Sequence, residues 1–498
     1  MITQPLTSRL DSSDTGFFGH PRGLSTLFLT ELWERFSYYG MRALLILYMT
    51  AKSSQGGLGF GVSKAAAIYG LYTAAVYLSA LPGGWLADRL FGLRPAVLYG
   101  GILIALGHYS LALGPLSAFY TGLVLIVLGT GLLKPNVSAL VGELYSPADN
   151  RRDAGFSIFY MGINLGAFIS PLACGYLGQK IGWHLGFGLA ALGMTLGLVQ
   201  FMTGARRLRP TPLSEPSKKL DAQRQLIRAT GACAVAALVL IYLARRGVLQ
   251  ITAESLSTAM GVVLLAISTA IFIWLLFIAR WTPTERRRLI VILALFIASA
   301  LFWSVFEQAG STLNLFAERN TDKSILGFSF PASWLQSLGP LFIVLLAPVF
   351  AWIWLRLGTR NPSSAAKFVF GLLFASLGYA VLVIPAFRSA HGALASPLWL
   401  TATNLLHTMG ELCISPVGLS SLTQLAPRRV VGMMMGVWFL STSVGNYLGG
   451  RFASLYESLP LPNLFAYVAV MAFAAAIVLA LLVRPIKRLT ADSQDIAC

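Results

Sequence analysis

The segment ELWERFSYYG (31–40) places Glu31, Glu34 and Arg35 side by side in an otherwise apolar run. On a helix Glu31, Arg35, Tyr38 and Arg42 stand at i, i+4, i+7 and i+11, one continuous stripe flanked by Glu34 and Tyr39. Facing lipid, each charge would cost roughly 2.5–3.5 kcal/mol, so the stripe must face protein or a water-filled cavity. A carboxylate beside a guanidinium is suited to taking up and releasing a proton, because the cation favours its ionised form and burial its neutral form. The alternative is a static Glu31–Arg35 pair that only holds helices together, but ionisable groups at membrane depth ordinarily mark a pathway. Arg42 lies two turns from the cluster and needs a partner from another helix.

Depth nominates that partner. If successive helices alternate in direction, Arg42 lies in the outer half of the first, and Glu307 in LFWSVFEQAG lies near the outer end of another outward-running helix. Lys134 in GTGLLKPNVSAL and Glu411 in HTMGELCISP lie past the middle of two inward-running helices. The charges sort into an outer couple, Arg42 with Glu307, and an inner couple, Lys134 with Glu411, each joining the two halves of the chain as a pair of gates would. Pro135 and Pro416, next to Lys134 and Ser415, are expected to break their helices at depth, which is tolerable only beside protein or a cavity. Tyr160 and Asn164 share one helix face, and Trp303, Trp438 and Phe439 are candidates for apolar pockets. His407 stands one turn from Glu411, whereas His20, His108, His184 and His391 look peripheral, and none pairs with Ser or Cys as a hydrolytic dyad would.

The elements that must position these residues are membrane helices. The 498 residues are 56% hydrophobic and 11% charged, with a mean hydropathy of +0.71, against about 25% charged in an average soluble chain. Apolar runs of roughly 20 residues, each long enough for ~30 Å of hydrocarbon, recur near 24–50, 63–88, 95–114, 117–142, 154–176, 183–203, 226–244, 258–280, 289–310, 333–357, 366–386, 397–422, 431–456 and 464–484. That is an all-α polytopic membrane protein of about fourteen transmembrane helices. The net charge of +18 reads as topology and not as nucleic-acid binding. Most of the 37 lysines and arginines, among them Arg89, Arg94, Arg151, Arg152, Arg206, Arg207, Arg286, Arg287 and Arg288, fall on the side of the N-terminus, and few, such as Lys52, Lys180 and Arg319, fall opposite. This is the positive-inside pattern, with both termini cytoplasmic. Residues 1–23 lack an apolar signal core. The four cysteines have no metal-ligand spacing and predict no disulfide.

The long polar connection 205–225 follows six helices, and a two-helix hairpin and six more helices come after it. The domain reading is a cytoplasmic segment 1–23, a first six-helix bundle 24–203, a linker and inserted hairpin 204–284, a second six-helix bundle 285–484 and a cytoplasmic tail 485–498. Two such halves with a polar path between them describe a secondary transporter, whose site lies near the midplane.

ELWERFSYYG resembles the first-helix E-x-x-E-R-F-x-Y-Y signature of the proton-dependent oligopeptide transporters of prokaryotic type, members of the major facilitator superfamily. GGWLADRLFG (83–92), FYMGINLG (159–166), FWSVFEQAG (302–310) and GELCISPVG (410–418) match the same family in order. The resemblance implies the major facilitator fold and a proton-coupled symporter that imports di- and tripeptides across the bacterial inner membrane, a monomer with peptides, protons and lipid as its partners. It implies no cofactor, no metal, no nucleic acid and no enzyme activity. By position it implies that Glu31, Glu34 and Arg35 couple to protons together with Glu307. Arg35 and Lys134 would attract the peptide carboxylate, and Glu411, with Asn164 and Tyr160, its amine. Tyr39, Arg42, Tyr77, Trp303, Glu307, Trp438 and Phe439 would complete the peptide site, with Arg42–Glu307 and Lys134–Glu411 as the gates. Two departures stand out. Gly339 in SWLQSLGP occupies a position where many members carry Asn, and Gly70 one where animal relatives carry a protonatable His, which leaves coupling to carboxylates. The rival readings are a carrier of a small anion such as nitrate, which would have little use for Glu411, a peptide receptor that does not transport, and a membrane hydrolase, which lacks its dyad.

Overall fold

The apolar runs form helices because lipid offers backbone amides no partner, so each must be satisfied within its own segment. A computed structural model describes residues 14–146, 149–208, 216–247, 250, 252–325 and 327–491. Among the described residues fourteen long helices follow one another: α1 Arg22–Thr50, α2 Val62–Phe91, α3 Leu93–Leu111, α4 Leu116–Glu143, α5 Arg152–Ile181, α6 Trp183–Gly204, α7 Pro216–Arg245, α8 Ala253–Ile278, α9 Pro283–Asn320, α10 Ala332–Arg360, α11 Ser364–Ala390, α12 Pro397–Leu425, α13 Val431–Ala453 and α14 Leu461–Ala491. Nine of them are long and apolar enough to cross a membrane by composition alone. α1 is not, because any stretch of spanning length in it holds at least three of Glu31, Glu34, Arg35 and Arg42. Sequence signals set several ends. At α9, Thr282 accepts the Glu285 N–H at 3.3 Å while Glu285 accepts that of Thr282 at 2.9 Å, with Pro283 at the first helical position.

The fold is two helical bundles with an inserted two-helix hairpin. α1 packs on α5 and α6 and α3 on α4 in the first bundle; α11 packs on α12 and α14 and α9 on α13 in the second. Between bundles α2 meets α13 and α5 meets α10. In the hairpin, α8 lies against both α2 and α13, with the Tyr447 ring seated on Gly261.

Several boundaries and placements differ from expectation. α7 begins at Pro216, ten residues before the expected start at 226, because the polar stretch that opens it is rich in helix-forming Lys, Leu, Ala, Gln and Arg, and residues 209–215 lie outside the described residues. α9 runs past residue 310 to Asn320 through a tight turn at Glu307–Gly310. α14 continues into the supposed tail as far as Ala491. Pro135 and Pro416 do not break their helices: α4 and α12 run through them, and proline removes only one backbone hydrogen bond each. The carbonyl that Pro135 leaves free, that of Gly131, is approached by Gly83 of α2, which only a glycine permits.

Two histidines read as peripheral are buried. His108 is fully enclosed, because Gly107 of α3 and Gly122 of α4 let the two backbones close on each other at the helix ends. His20 hydrogen-bonds Tyr145 at 3.0 Å, and Arg151 donates to the carbonyls of Asp14 and Gly19, so the segment before α1 is fastened to the α4–α5 turn. Burial, and then the Arg151 charge, hold the His20 imidazole below its usual range and favour the neutral ring. Cys174 and Cys413 are buried free thiols, while the Cys233 side chain and Cys498 lie outside the described residues.

The end of the bundles remote from the termini, here called outer, is where they meet most closely. A Cβ on Gly70 of α2 would lie 2.8 Å from the Cα of Gly450 of α13. No side chain fits between these backbones, which is why position 70 cannot hold a histidine in this conformation. Gly70→Ala and, more strongly, Gly70→Leu are expected to force the outer ends apart. Spin labels on the outer ends of α2 and α13 should report longer distances, while Gly84→Ala, whose Cβ meets nothing nearer than Pro135 at 3.9 Å, should leave them unchanged. An unaltered distance in Gly70→Leu would show that this contact does not set the closure.

Candidate functional site

α1 carries the stripe in one unbroken helix, and all of Glu31, Glu34, Arg35 and Arg42 are buried. The Arg35 Nε donates to Glu31 Oε1 at 2.9 Å and lies 2.6 Å from Glu34 Oε2 as an ion pair, although neither Glu34 oxygen accepts a hydrogen bond. The guanidinium also lies 5.7 Å from the Tyr38 ring centre. The rest of the cluster is uncommitted: Arg35 Nη2 and Glu31 Oε2 are buried without a hydrogen-bond partner. Gly166 of α5 packs against this turn of α1, its missing side chain letting the Leu32 carbonyl and Arg35 approach.

Arg42 and Glu307 form a buried ion pair across the bundles. The Arg42 Nη2 also donates to the Glu307 carbonyl at 3.2 Å, and its Nε donates to the Tyr69 hydroxyl of α2 at 2.6 Å. Gly310 leaves the room that the Tyr69 hydroxyl occupies. Beside this pair, Asn314 of α9 and Gln336 of α10 both donate to the Ala43 carbonyl of α1, at 2.9 and 3.4 Å. Ser443 of α13 donates to the Ala74 carbonyl of α2 at 2.7 Å. The outer seam is therefore one buried charge pair supported by side chains of the second bundle bonded to backbone carbonyls of the first.

The inner couple is not joined. Lys134 and Glu411 are both half-buried and, among the described residues, make no ion pair. The Lys134 ammonium stands 3.9 Å from the Tyr77 ring centre and 5.8 Å from that of Phe439 on the opposite bundle. Glu411 Oε2 and Ser415 Oγ have no hydrogen-bond partner. Asn164 is buried and donates to the Tyr160 carbonyl at 3.0 Å, while Tyr160 is exposed and Tyr39 half-buried. Trp303 and Trp438 are buried in the second bundle. Trp303 lies against Gly445 with its indole N–H unpartnered, and the tip of Trp438 is seated on Gly418. Phe439 alone of the three aromatics is half-exposed beside Lys134. His407 stacks on Tyr379 at 5.5 Å inside the second bundle, away from the expected path.

Residues 94–467 match the model of the POT family. The chain belongs to the POT family. It is 45% identical over 494 residues to a peptide transporter of Yersinia enterocolitica subsp. palearctica, covering 96% of this chain and 97% of that one. A di-/tripeptide transporter of Lactococcus lactis subsp. cremoris is 39% identical over 492 residues, with 97% and 99% covered. Among solved structures, a peptide transporter in complex with sulfate superposes with a TM-score of 0.89 at 45% identity, covering 95% and 96%.

In this POT family member several residues of the seam escaped sequence reasoning. Tyr69 carried no charge to flag it, though it precedes Tyr77 by eight positions on the same helix face. Two outer clasps lie at helix ends and in the turn before α14, where periodicity says least. Arg319 pairs with Glu457 at 2.7 Å while Glu457 also accepts the Val62 N–H at 3.3 Å. Gln179 of α5 bonds Glu318 and the Ser333 N–H, both at 3.1 Å. Exposed pairs of this kind contribute about 0–1 kcal/mol each, so the buried couple dominates. Removing one partner of a buried pair costs about 3–5 kcal/mol. Glu307→Ala should therefore destabilise the closed outer seam and lengthen spin-label distances across it, while distances across the inner ends shorten. No movement at either end would separate Arg42–Glu307 from the closure.

Proposed function

We propose that this chain is a proton-coupled symporter that imports di- and tripeptides across the cytoplasmic membrane of a bacterium by alternating access, as a monomer with both termini cytoplasmic. The observation that carries the reading is a set of unmet charges at two ends of one polar path. On one side stand Arg35 Nη2, without a partner, and Lys134, without a paired carboxylate; on the other stands Glu411 with a free oxygen. A peptide is a zwitterion with an anionic and a cationic end, and a desolvated charge is tolerated only when matched. The names of the relatives support the same substrate class.

In this reading Arg35 and Lys134 attract the peptide carboxylate. Glu411, aided by Asn164 and Tyr160, takes the ammonium, and Tyr39 and Tyr77 contact the backbone. Trp303, Trp438 and Phe439 bound the space left for side chains. Contacts confined to the termini and backbone tolerate many sequences. Glu31 and Glu34 take up the proton beside Arg35. A proton on Glu307 neutralises the partner of Arg42 and lets the outer seam open. The bundles 24–203 and 285–484 are the moving halves, joined through 204–284. Proton and peptide together supply the differential affinity that any such switch requires.

An inward proton gradient should drive uptake of labelled Ala-Ala into proteoliposomes, with competition by unrelated dipeptides and not by free alanine, whose two charges sit at the wrong spacing. Equal competition by free alanine would sink the peptide reading. Glu34→Gln should lose gradient-driven accumulation yet keep exchange of peptide between two filled compartments, because the site remains while one proton carrier is gone. If Glu34→Gln still concentrates Ala-Ala under a gradient, coupling rests on another carboxylate, with Glu307 the next to replace.

A further inference from the structure

α2 is held by both bundles at once. Its regular helix runs from Val62 to Leu78 and resumes at Ala80, with a break at Ser79. The outer piece, 62–78, packs more widely on α13 of the second bundle than on any helix of its own. There Gly70 meets Gly450, and Ser443 donates to the Ala74 carbonyl at 2.7 Å. The inner piece, from Ala80 on, packs chiefly on α4 of the first bundle. Gly83 lies against the Gly131 carbonyl, and Asn136 donates to the Gly83 carbonyl at 3.4 Å. A Cβ on Gly131 would lie 2.6 Å from the Ser79 carbonyl oxygen, so this contact excludes side chains as the outer one does.

The break has a local cause. Pro82 donates no amide to the Leu78 carbonyl, and its ring crowds that carbonyl. Ser79 then offers one hydroxyl proton to two acceptors, the Val76 carbonyl of its own helix and the Val127 carbonyl of α4, both at 2.9 Å. A hydroxyl donates once, so the two partners mark two arrangements of the joint. Tyr77 stands on the outer side of the joint. Lys134, whose ammonium lies 3.9 Å from the Tyr77 ring centre, belongs to α4 on the inner side.

We propose that Ser79 and Pro82 are positioning residues of the transport cycle: α2 bends at this joint, its outer piece tilting with α13 while its inner piece stays on α4. An unbent α2 would tie the two halves together. The bend also carries Tyr77 off the Lys134 ammonium, which frees that cation for the peptide carboxylate. The joint follows from the packing, and its consequence for Lys134 rests on the peptide reading above. The lever is long on the outer side. The 17 residues of the outer piece rise about 25 Å, so a bend of about 10° moves its far end by about 4 Å.

The test places spin labels at Ser63 and Ser117, both exposed, at the outer ends of α2 and α4 within one bundle. Gly70→Leu drives a wedge against Gly450 and forces α2 to move. Bending at Ser79 should change the Ser63–Ser117 distance by about 4 Å and leave labels on the inner ends of α2 and α4 where they were. Adding Pro82→Ala, which returns the missing N–H, should shrink that change. Should Gly70→Leu fold poorly, Gly70→Ala serves, since its Cβ already lies 2.8 Å from the Gly450 Cα. An unaltered Ser63–Ser117 distance overturns the hinge, whether or not the bundles themselves separate. Pro82→Ala alone should raise the KM for Ala-Ala uptake about fivefold, since the bend that frees Lys134 now breaks one more backbone hydrogen bond and grows rarer. An unchanged KM severs the joint from Lys134. If the parent protein takes up no Ala-Ala at all, the peptide reading falls, and the distances still decide the hinge.

Discussion

A charge held away from water must be met by an opposite charge, and Arg42 can be met only from the other half of the molecule. Its own helix places Glu34 and Glu31 two and three turns off, already paired with Arg35. Glu307 is the carboxylate that answers it. The pair is therefore a seam as well as a contact, because neither bundle is electrostatically complete on that side without the other. The neighbouring features conform to this closure. Tyr69 accepts from the Arg42 Nε, Gly310 makes room for Tyr69, and Asn314 and Gln336 fix the next carbonyl of α1, that of Ala43.

Glycine decides how near the halves can come. At Gly70 and Gly450 the two backbones touch without side chains between them, a contact that dispersion favours only when the fit is complete. The hairpin helix α8 covers these two helices from the lipid side and touches both. A Gly–Gly contact contributes little directional bonding, so it holds the closed seam without locking it. The charge pair has the opposite character: strong while intact, costly when half-broken, and sensitive to a single proton. The combination suits a surface that must separate and rejoin.

The helices, their order and the depth of each charge were legible from the sequence, since hydropathy and the 3.6-residue period are properties of single segments. Depth alone was enough to nominate Glu307 for Arg42. Lateral packing was not legible, because it depends on which faces of different helices meet. Hence His108 looked like a helix-end residue until the approach of Gly107 to Gly122 enclosed it, and Tyr69 looked like one aromatic among many. Pro135 and Pro416 misled for the converse reason. Proline is a strong local signal, but lipid forbids an unsatisfied backbone so firmly that α4 and α12 stay helical through it. The clasps at Gln179 and Glu457 lie at the last turn of a helix and in a loop, where the period gives out.

The two ends of the path are unequally held, and this has a consequence for the proposed cycle. The outer seam combines a buried ion pair, hydrogen bonds to the Ala43 and Ala74 carbonyls, and a glycine contact. The inner ends have Lys134 resting on Tyr77 and Glu411 with an oxygen unmet. Swinging such a balance from one state to the other requires differential binding of about 5.5 kcal/mol for a 1:99 to 99:1 shift. Neither ligand supplies that alone without excess. A peptide matching Arg35 and Lys134 with Glu411 binds across the halves but leaves Arg42–Glu307 intact, and a proton on Glu307 loosens the outer seam but draws nothing together inside. Each acts on a different part of the same constraint, so in the proposed cycle the halves exchange places with both bound or with neither. Coupling then follows from where the charges are buried.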